Sequence, residues 1–87
     1  MAYRVVLLPS AERALRKLDP SVARRVARRI DRLAGDPRPA GAKLLKGEPT
    51  GVLRVRVGDW RLLYRVDDGR LTILVIDLGH RSSIYER

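Results

Sequence analysis

The sequence has 87 residues, enough for a single domain over 1–87 and too few for two, and with no Phe, one Trp and three Tyr its core must rest on branched aliphatics. Nineteen Lys and Arg, 16 of them Arg, stand against ten acids for a net charge of +9, which calls for a polyanionic partner: nucleic acid or an acidic protein segment. No Cys and a single His exclude disulfides, thiolate chemistry and a His-cluster metal site, and no apolar run approaches a membrane span, so a cytoplasmic protein with no metal, cofactor or membrane partner is expected.

Residues 3–8 are rich in β-branched and aliphatic side chains and read as a strand. Pro9 stops it, with Ser10 as candidate cap for a helix carrying Ala11, Ala14, Leu15 and Leu18 on one face. Asp19-Pro20 starts a second helix, Asp as cap and Pro at the first helical position. Its apolar stripe is Val22, Val26, Ile30 and Leu33, opposite Arg24, Arg25, Arg28, Arg29 and Arg32, and Gly35 ends it. The two helices form a hairpin. Residues 36–51 hold three Pro and three Gly and read as a loop, with one turn expected over 43–46. Three strands follow, over 52–57, 60–66 and 71–78, joined by the two-residue turns Gly58-Asp59 and Asp68-Gly69. The expected architecture is α+β in two layers: a strand, a helical hairpin, and a three-stranded antiparallel meander that completes a four-stranded sheet.

Tight turns fix register, and register sorts side chains between the two faces of the sheet. Across Gly58-Asp59, Val57 faces Trp60, Arg56 faces Arg61, Val55 faces Leu62 and Leu53 faces Tyr64. Across Asp68-Gly69, Val66 faces Leu71, Tyr64 faces Ile73 and Leu62 faces Val75. These residues make one apolar face, which must lie under the helices. The other face carries Arg54, Arg56, Arg61, Leu63, Arg65, Thr72, Leu74 and Ile76. Arg56 opposite Arg61 is a like-charge cross-strand pair, destabilising by up to about 1 kcal/mol. Either it is a solvated face with Arg stems lying on Leu63 and Leu74, or several guanidinium groups converge on one phosphate and stabilise charge that develops there. His80 stands just past the last strand. A triad of Asp77, His80 and Ser82 or Ser83 is set aside, because residues so close in sequence rarely converge that way and no nucleophile elbow is present.

The stretch from Lys43 to Tyr85, KLLKGEPTGVLRVRVGDWRLLYRVDDGRLTILVIDLGHRSSIY, resembles the core signature of the RelE/ParE toxin superfamily. The specific part is the block R-x-R-x-G-D-W-R-x-x-Y from 54 to 64, followed by the ending G-H-R-S-S-I-Y from 79 to 85. The opening YRVVLLPSAERALRKLDP is similar to the family's first strand and Ala-rich helix, so the resemblance spans nearly the whole chain.

The resemblance implies a RelE-like fold and the toxin of a bacterial type II toxin–antitoxin system. It implies a metal-independent endoribonuclease that cuts mRNA in the ribosomal A site and inhibits translation, the 2′-hydroxyl attacking the adjacent phosphate to leave a 2′,3′-cyclic phosphate. Arg54 and Arg56 then fall where basic residues hold and activate the phosphate, and Arg61 where an Arg stabilises the pentavalent intermediate. Arg81 matches the basic residue after the last strand, and Tyr85 the terminal Tyr that stacks on a base or assists proton transfer. Family members with Lys at the first two positions have a group that deprotonates more readily than Arg. In this chain His80 and Tyr85 are the two residues able to move protons, and both stay open. Arg24, Arg28, Arg32, Lys43, Lys46 and Arg65 are expected to meet RNA or the ribosome. An acidic antitoxin helix is the expected inhibitor, docking on Leu63, Leu74 and Ile76 or along the sheet edge. Rival readings are a ParE-like toxin that inhibits DNA gyrase by binding, against which Arg81 and Tyr85 argue, an inactive relative that binds only its antitoxin, and an unrelated RNA-binding accessory protein.

Overall fold

The computed structural model describes residues 2–46 and 51–80. In chain order the elements are β1 (Arg4–Leu7), α1 (Pro9–Arg16), α2 (Pro20–Gly35), β2 (Lys43–Leu44), β3 (Leu53–Val57), β4 (Trp60–Asp67) and β5 (Thr72–His80). The strands form one mixed five-stranded sheet in the order β1-β5-β4-β3-β2, with β1 parallel to β5 and the other neighbours antiparallel. The α+β reading holds, but the expected four strands become five. Lys43 and Leu44, expected in a turn, pair instead with Arg54 and Leu53, and the Leu45 N–H donates to Val52 O at 2.8 Å.

Both helices start on proline, which spares a backbone N–H that has no intrahelical acceptor. Asp19 caps α2 by position, without a side-chain hydrogen bond. Ser10 does not cap α1; Leu8 holds that place and the helix begins at Pro9. The Ser10 hydroxyl instead donates to Ile76 O at 2.7 Å, tying α1 to β5. The stripe read from the sequence packs as expected: Val26, Ile30 and Leu33 of α2 and Ala11 of α1 are buried against Val55, Leu62, Tyr64, Ile73 and Val75. Removing a side chain such as Leu62 or Leu33, both fully buried, costs about 2–5 kcal/mol because the cavity left behind closes only in part. Tyr64 brings one polar atom into this core, and its hydroxyl donates to Pro37 O at 2.8 Å. Burial is the main reason its phenol is pushed above the usual 10.0.

The β3–β4 register is the expected one in every pair, including Arg56 opposite Arg61. Gly58 adopts φ +61 at the first central position of the turn, as a type II′ hairpin requires. The β4–β5 register differs. Asp67 pairs with Thr72, Val66 with Ile73 and Tyr64 with Val75, so the turn holds four residues and the pairing slides by two. Asp67 Oδ1 accepts from the Arg70 N–H at 3.1 Å and Leu71, not Gly69, takes the positive φ of 48. Leu71, expected in the core, is therefore an exposed turn residue. A slide of two keeps each side chain on its face, which is why the core assignment of Ile73 and Val75 survives. Past Tyr64 the ladder jumps: Tyr64 pairs with Val75 but Leu63 with Asp77, leaving Ile76 as the extra residue of a bulge.

Candidate active site

The site is built on the sheet face away from the helices. Alternation sends Arg54 and Arg56 of β3 to that face while Val55 and Val57 enter the core, and the two-residue turn brings Arg61 of β4 level with Arg56. Two rows of paired residues result. One runs Lys43, Arg54, Leu63, Asp77 from β2 to β5, and the next runs Arg56, Arg61, Gly79. Arg54 and Arg61 are buried, only 7% and 5% exposed, while Arg56 is exposed. A solvated polar face leaves its charges in water; here two of the three guanidinium groups are withdrawn from it, so the solvated alternative does not describe Arg54 and Arg61. Both take part in further interactions, as do Asp77 and His80, which is what a buried charge requires. Gly79 beside Arg61 adds no side chain to the row.

Asp77 is the residue the sequence reading missed on this face. Unbroken alternation after Val75 places Asp77 on the core side and Leu78 outside. The bulge at Ile76 reverses both, so Leu78 is buried in the core and Asp77 joins Leu63 on the arginine face. Its Oδ1 accepts from the Leu78 N–H at 2.9 Å. The signal was available: a carboxylate due to enter an apolar core asks for a bulge. Ser10 completes the arrangement, since its hydroxyl satisfies the carbonyl of the residue that the bulge leaves over.

His80 pairs with Trp60 across β4–β5, and their rings meet edge to face with centroids 5.5 Å apart. Trp60 packs against the core cluster, so this contact draws His80 toward the helix side rather than toward Arg56 and Arg61. Arg81 and Tyr85 lie outside the described residues. Of the residues read as contacting RNA, Lys43 stands beside Arg54, and Lys46 is exposed just after β2. Arg65 is exposed opposite Leu74, where it lines a groove of about 710 Å³ with Arg4, Val6, Arg70 and Thr72. Leu63, Leu74 and Ile76, expected to be exposed, are half-buried; the more open apolar residues are Leu44, Val6 and Leu71.

The basic face of α2 is organised differently from its sequence reading. Arg28 and Arg32 join Arg25 and Arg29, at i, i+3, i+4 and i+7, to line a cleft of about 270 Å³ whose other wall is Arg56, Val57 and Gly58 of the β3–β4 hairpin. Arg24 is exposed but does not line it. The i,i+4 pairs Arg25–Arg29 and Arg28–Arg32 each oppose the helix by about 0.2–0.5 kcal/mol. The ion pairs Glu12–Arg16, Arg38–Asp68 and Asp67–Arg70 do not reach this cleft.

A family model described as the ParE toxin of the type II toxin–antitoxin system parDE matches residues 5–85. The chain belongs to the RelE/ParE toxin family of type II toxin–antitoxin systems. It is 36% identical to Toxin RelG of Mycobacterium tuberculosis over the full length of both chains. Its fold is similar to a chain of the RelBE2 toxin–antitoxin complex of the same organism, with a TM-score of 0.82 and 33% identity over 93% of this chain and all of that one. The archaeal RelE–RelB complex of Pyrococcus horikoshii gives a TM-score of 0.81 and 30% identity over 95% and 99% of the two chains. The RelE-like fold expected from the 54–64 block is therefore the one present.

Proposed function

We propose that this RelE/ParE-family chain is the ribonuclease toxin of its pair, cutting mRNA in the ribosomal A site in the cytoplasm. One observation carries the reading: Arg54, Arg56 and Arg61 share one face, two of them buried, with Arg56 directly opposite Arg61. Positive charge fixed in a protein environment is worth most where negative charge develops during reaction. In the proposed step the 2′-oxygen attacks the adjacent phosphorus and the bond to the 5′-oxygen breaks. A 2′,3′-cyclic phosphate and a 5′-hydroxyl remain, the proton lost from the 2′-hydroxyl being matched by one gained at the leaving oxygen. Arg61 and Arg54 stabilise the pentavalent phosphorane, and exposed Arg56 meets the incoming phosphate. Arg81 adds a further cation, and Tyr85 or His80 moves the proton. The contact with Trp60 favours Tyr85 for this step and gives His80 the role of holding the strand end. An acidic antitoxin is the natural inhibitor, as the RelB–RelE complexes among similar structures suggest.

Purified protein added to an in vitro translation reaction should produce new mRNA 5′ ends, and Arg61→Ala should not. The ParE description of the matching family model supports a second reading, inhibition of gyrase by binding. Intact mRNA together with blocked DNA supercoiling would select it.

A further inference from the structure

The cleft between α2 and the β3–β4 turn is not part of the arginine face, yet it is the denser concentration of charge. Of the seven described residues that line it, five are arginines: Arg25, Arg28, Arg29 and Arg32 from the helix and Arg56 from β3. Its walls are tied together through Gly58, where a Cβ would stand 3.2 Å from Arg25 Nη2, so the guanidinium lies directly on the turn. Arg29 Nε is buried and has no hydrogen-bond partner among the described residues. A helix stripe that carries four cations on neighbouring turns, with no carboxylate lining the cleft among the described residues, suits an anion from outside the chain.

We propose that this cleft binds a backbone phosphate of the same single RNA strand whose scissile phosphate lies at Arg56 and Arg61. The inference rests on the ribonuclease reading for that second phosphate. Arg56 connects the two sites: it lines the cleft and is also the cross-strand neighbour of Arg61. A strand rounding the end of the hairpin would thus be held on both sides of the sheet, which fixes its direction relative to the reacting bond. RNA is favoured over an acidic protein segment because Val57, the one apolar side chain among the described residues that line the cleft, is already buried. An amphipathic acidic helix would find no anchor there, whereas phosphate recognition needs only guanidinium donors.

The test is the salt dependence of binding to a short 2′-O-methyl RNA strand, which lacks the attacking hydroxyl. For single strands the slope of log K against log salt changes by about 0.7 for each phosphate that the protein no longer neutralises. Arg28→Gln with Arg32→Gln, both exposed and at helix positions that Gln tolerates, should weaken binding and flatten the slope by about 0.7, the share of one phosphate. Arg28→Lys with Arg32→Lys keeps the charge and should retain the wild-type slope, and circular dichroism confirms that both variants fold. An unchanged slope in the Gln variant would overturn the proposal, as would loss of binding to a glutamate-rich peptide without loss of binding to RNA. If the wild type leaves translated mRNA intact while the Gln variant still flattens the slope, the ribonuclease reading falls and the cleft stands. Wild-type cleavage with an unchanged slope removes the cleft alone.

Discussion

Arg61 shows how much chemistry rests on one side chain. It is nearly buried, it faces Arg56 across the ladder, and Gly79 on its other side leaves the row open. Loss of one such preorganised donor typically costs 10²–10³ in rate. Arg61→Ala should therefore lower mRNA cleavage by about that factor while circular dichroism shows an intact fold; full activity would place the chemistry elsewhere. Tyr64→Phe tests a different kind of residue, one that holds the core. It removes the hydroxyl that satisfies Pro37 O, so chemical denaturation should show a loss of about 1 kcal/mol. The same change removes a phenol whose value in the folded state lies above 10.0, chiefly through burial. Below pH 10 that phenol is neutral folded or unfolded. Above it the unfolded chain ionises first, so the wild type loses stability as pH rises and the Phe variant should lose less.

Among the elements, the two hairpins show what a sequence discloses and what it hides. The β3–β4 register was legible because a Gly at the first central position permits one tight turn, and that turn fixes every pair from Val57–Trp60 to Leu53–Tyr64. The β4–β5 hairpin also offers an Asp-Gly pair, but the Asp67 carboxylate captures the Arg70 N–H and the loop widens to four residues. Nothing local in Leu71 announces that it will take φ 48, a conformation that favours Gly or Asn. Asp77 asks for a bulge somewhere after Val75, but its place at Ile76 goes with a hydrogen bond between residues 66 apart in sequence, the Ser10 hydroxyl meeting the Ile76 carbonyl, which no local pattern announces. Without that bulge Asp77 could not reach the arginine face, so a short helix on one side of the sheet determines the charge on the other. Ser10→Ala should cost about 1–2 kcal/mol by leaving a part-buried carbonyl unsatisfied. It should also lower cleavage more than its stability loss explains, because the bulge sets the register that brings Gly79 beside Arg61. A variant with reduced stability and full activity would show that the bulge holds without Ser10. Leu71→Asn, by contrast, should raise stability by about 0.5–1 kcal/mol in the same denaturation measurement, since Asn tolerates the left-handed region.

Across the whole molecule, a net charge of +9 has to be carried by a thin core, and five arginines gather around one end of the β3–β4 hairpin. The opposite end is fastened by an ionic clasp. Asp68, in the β4–β5 turn, accepts from Arg38 Nη2 at 2.9 Å and Nη1 at 3.2 Å, and from the Tyr3 hydroxyl at 2.6 Å. Three regions distant in sequence thus meet on one carboxylate: the residue before β1, the loop after α2 and the turn between β4 and β5. The Arg38 hydrogen bonds, followed by that of Tyr3, hold the Asp68 carboxyl below the usual 3.8. The folded chain therefore binds this proton less tightly than the unfolded chain. The stabilisation is complete above about pH 5, and it fades as pH falls through 3.8 toward the lower folded value. All three groups are exposed or half-exposed, so the clasp is screened by solvent and its contribution is modest. Asp68→Asn keeps the shape of the side chain and removes its charge. The melting temperature of the variant should lie below that of the wild type at neutral pH, and the two should converge as the solution is acidified through the carboxylate range. High salt should narrow the neutral-pH gap in the same direction. A gap that stays constant from neutral to acid pH would mean that shape, not charge, holds these three regions together.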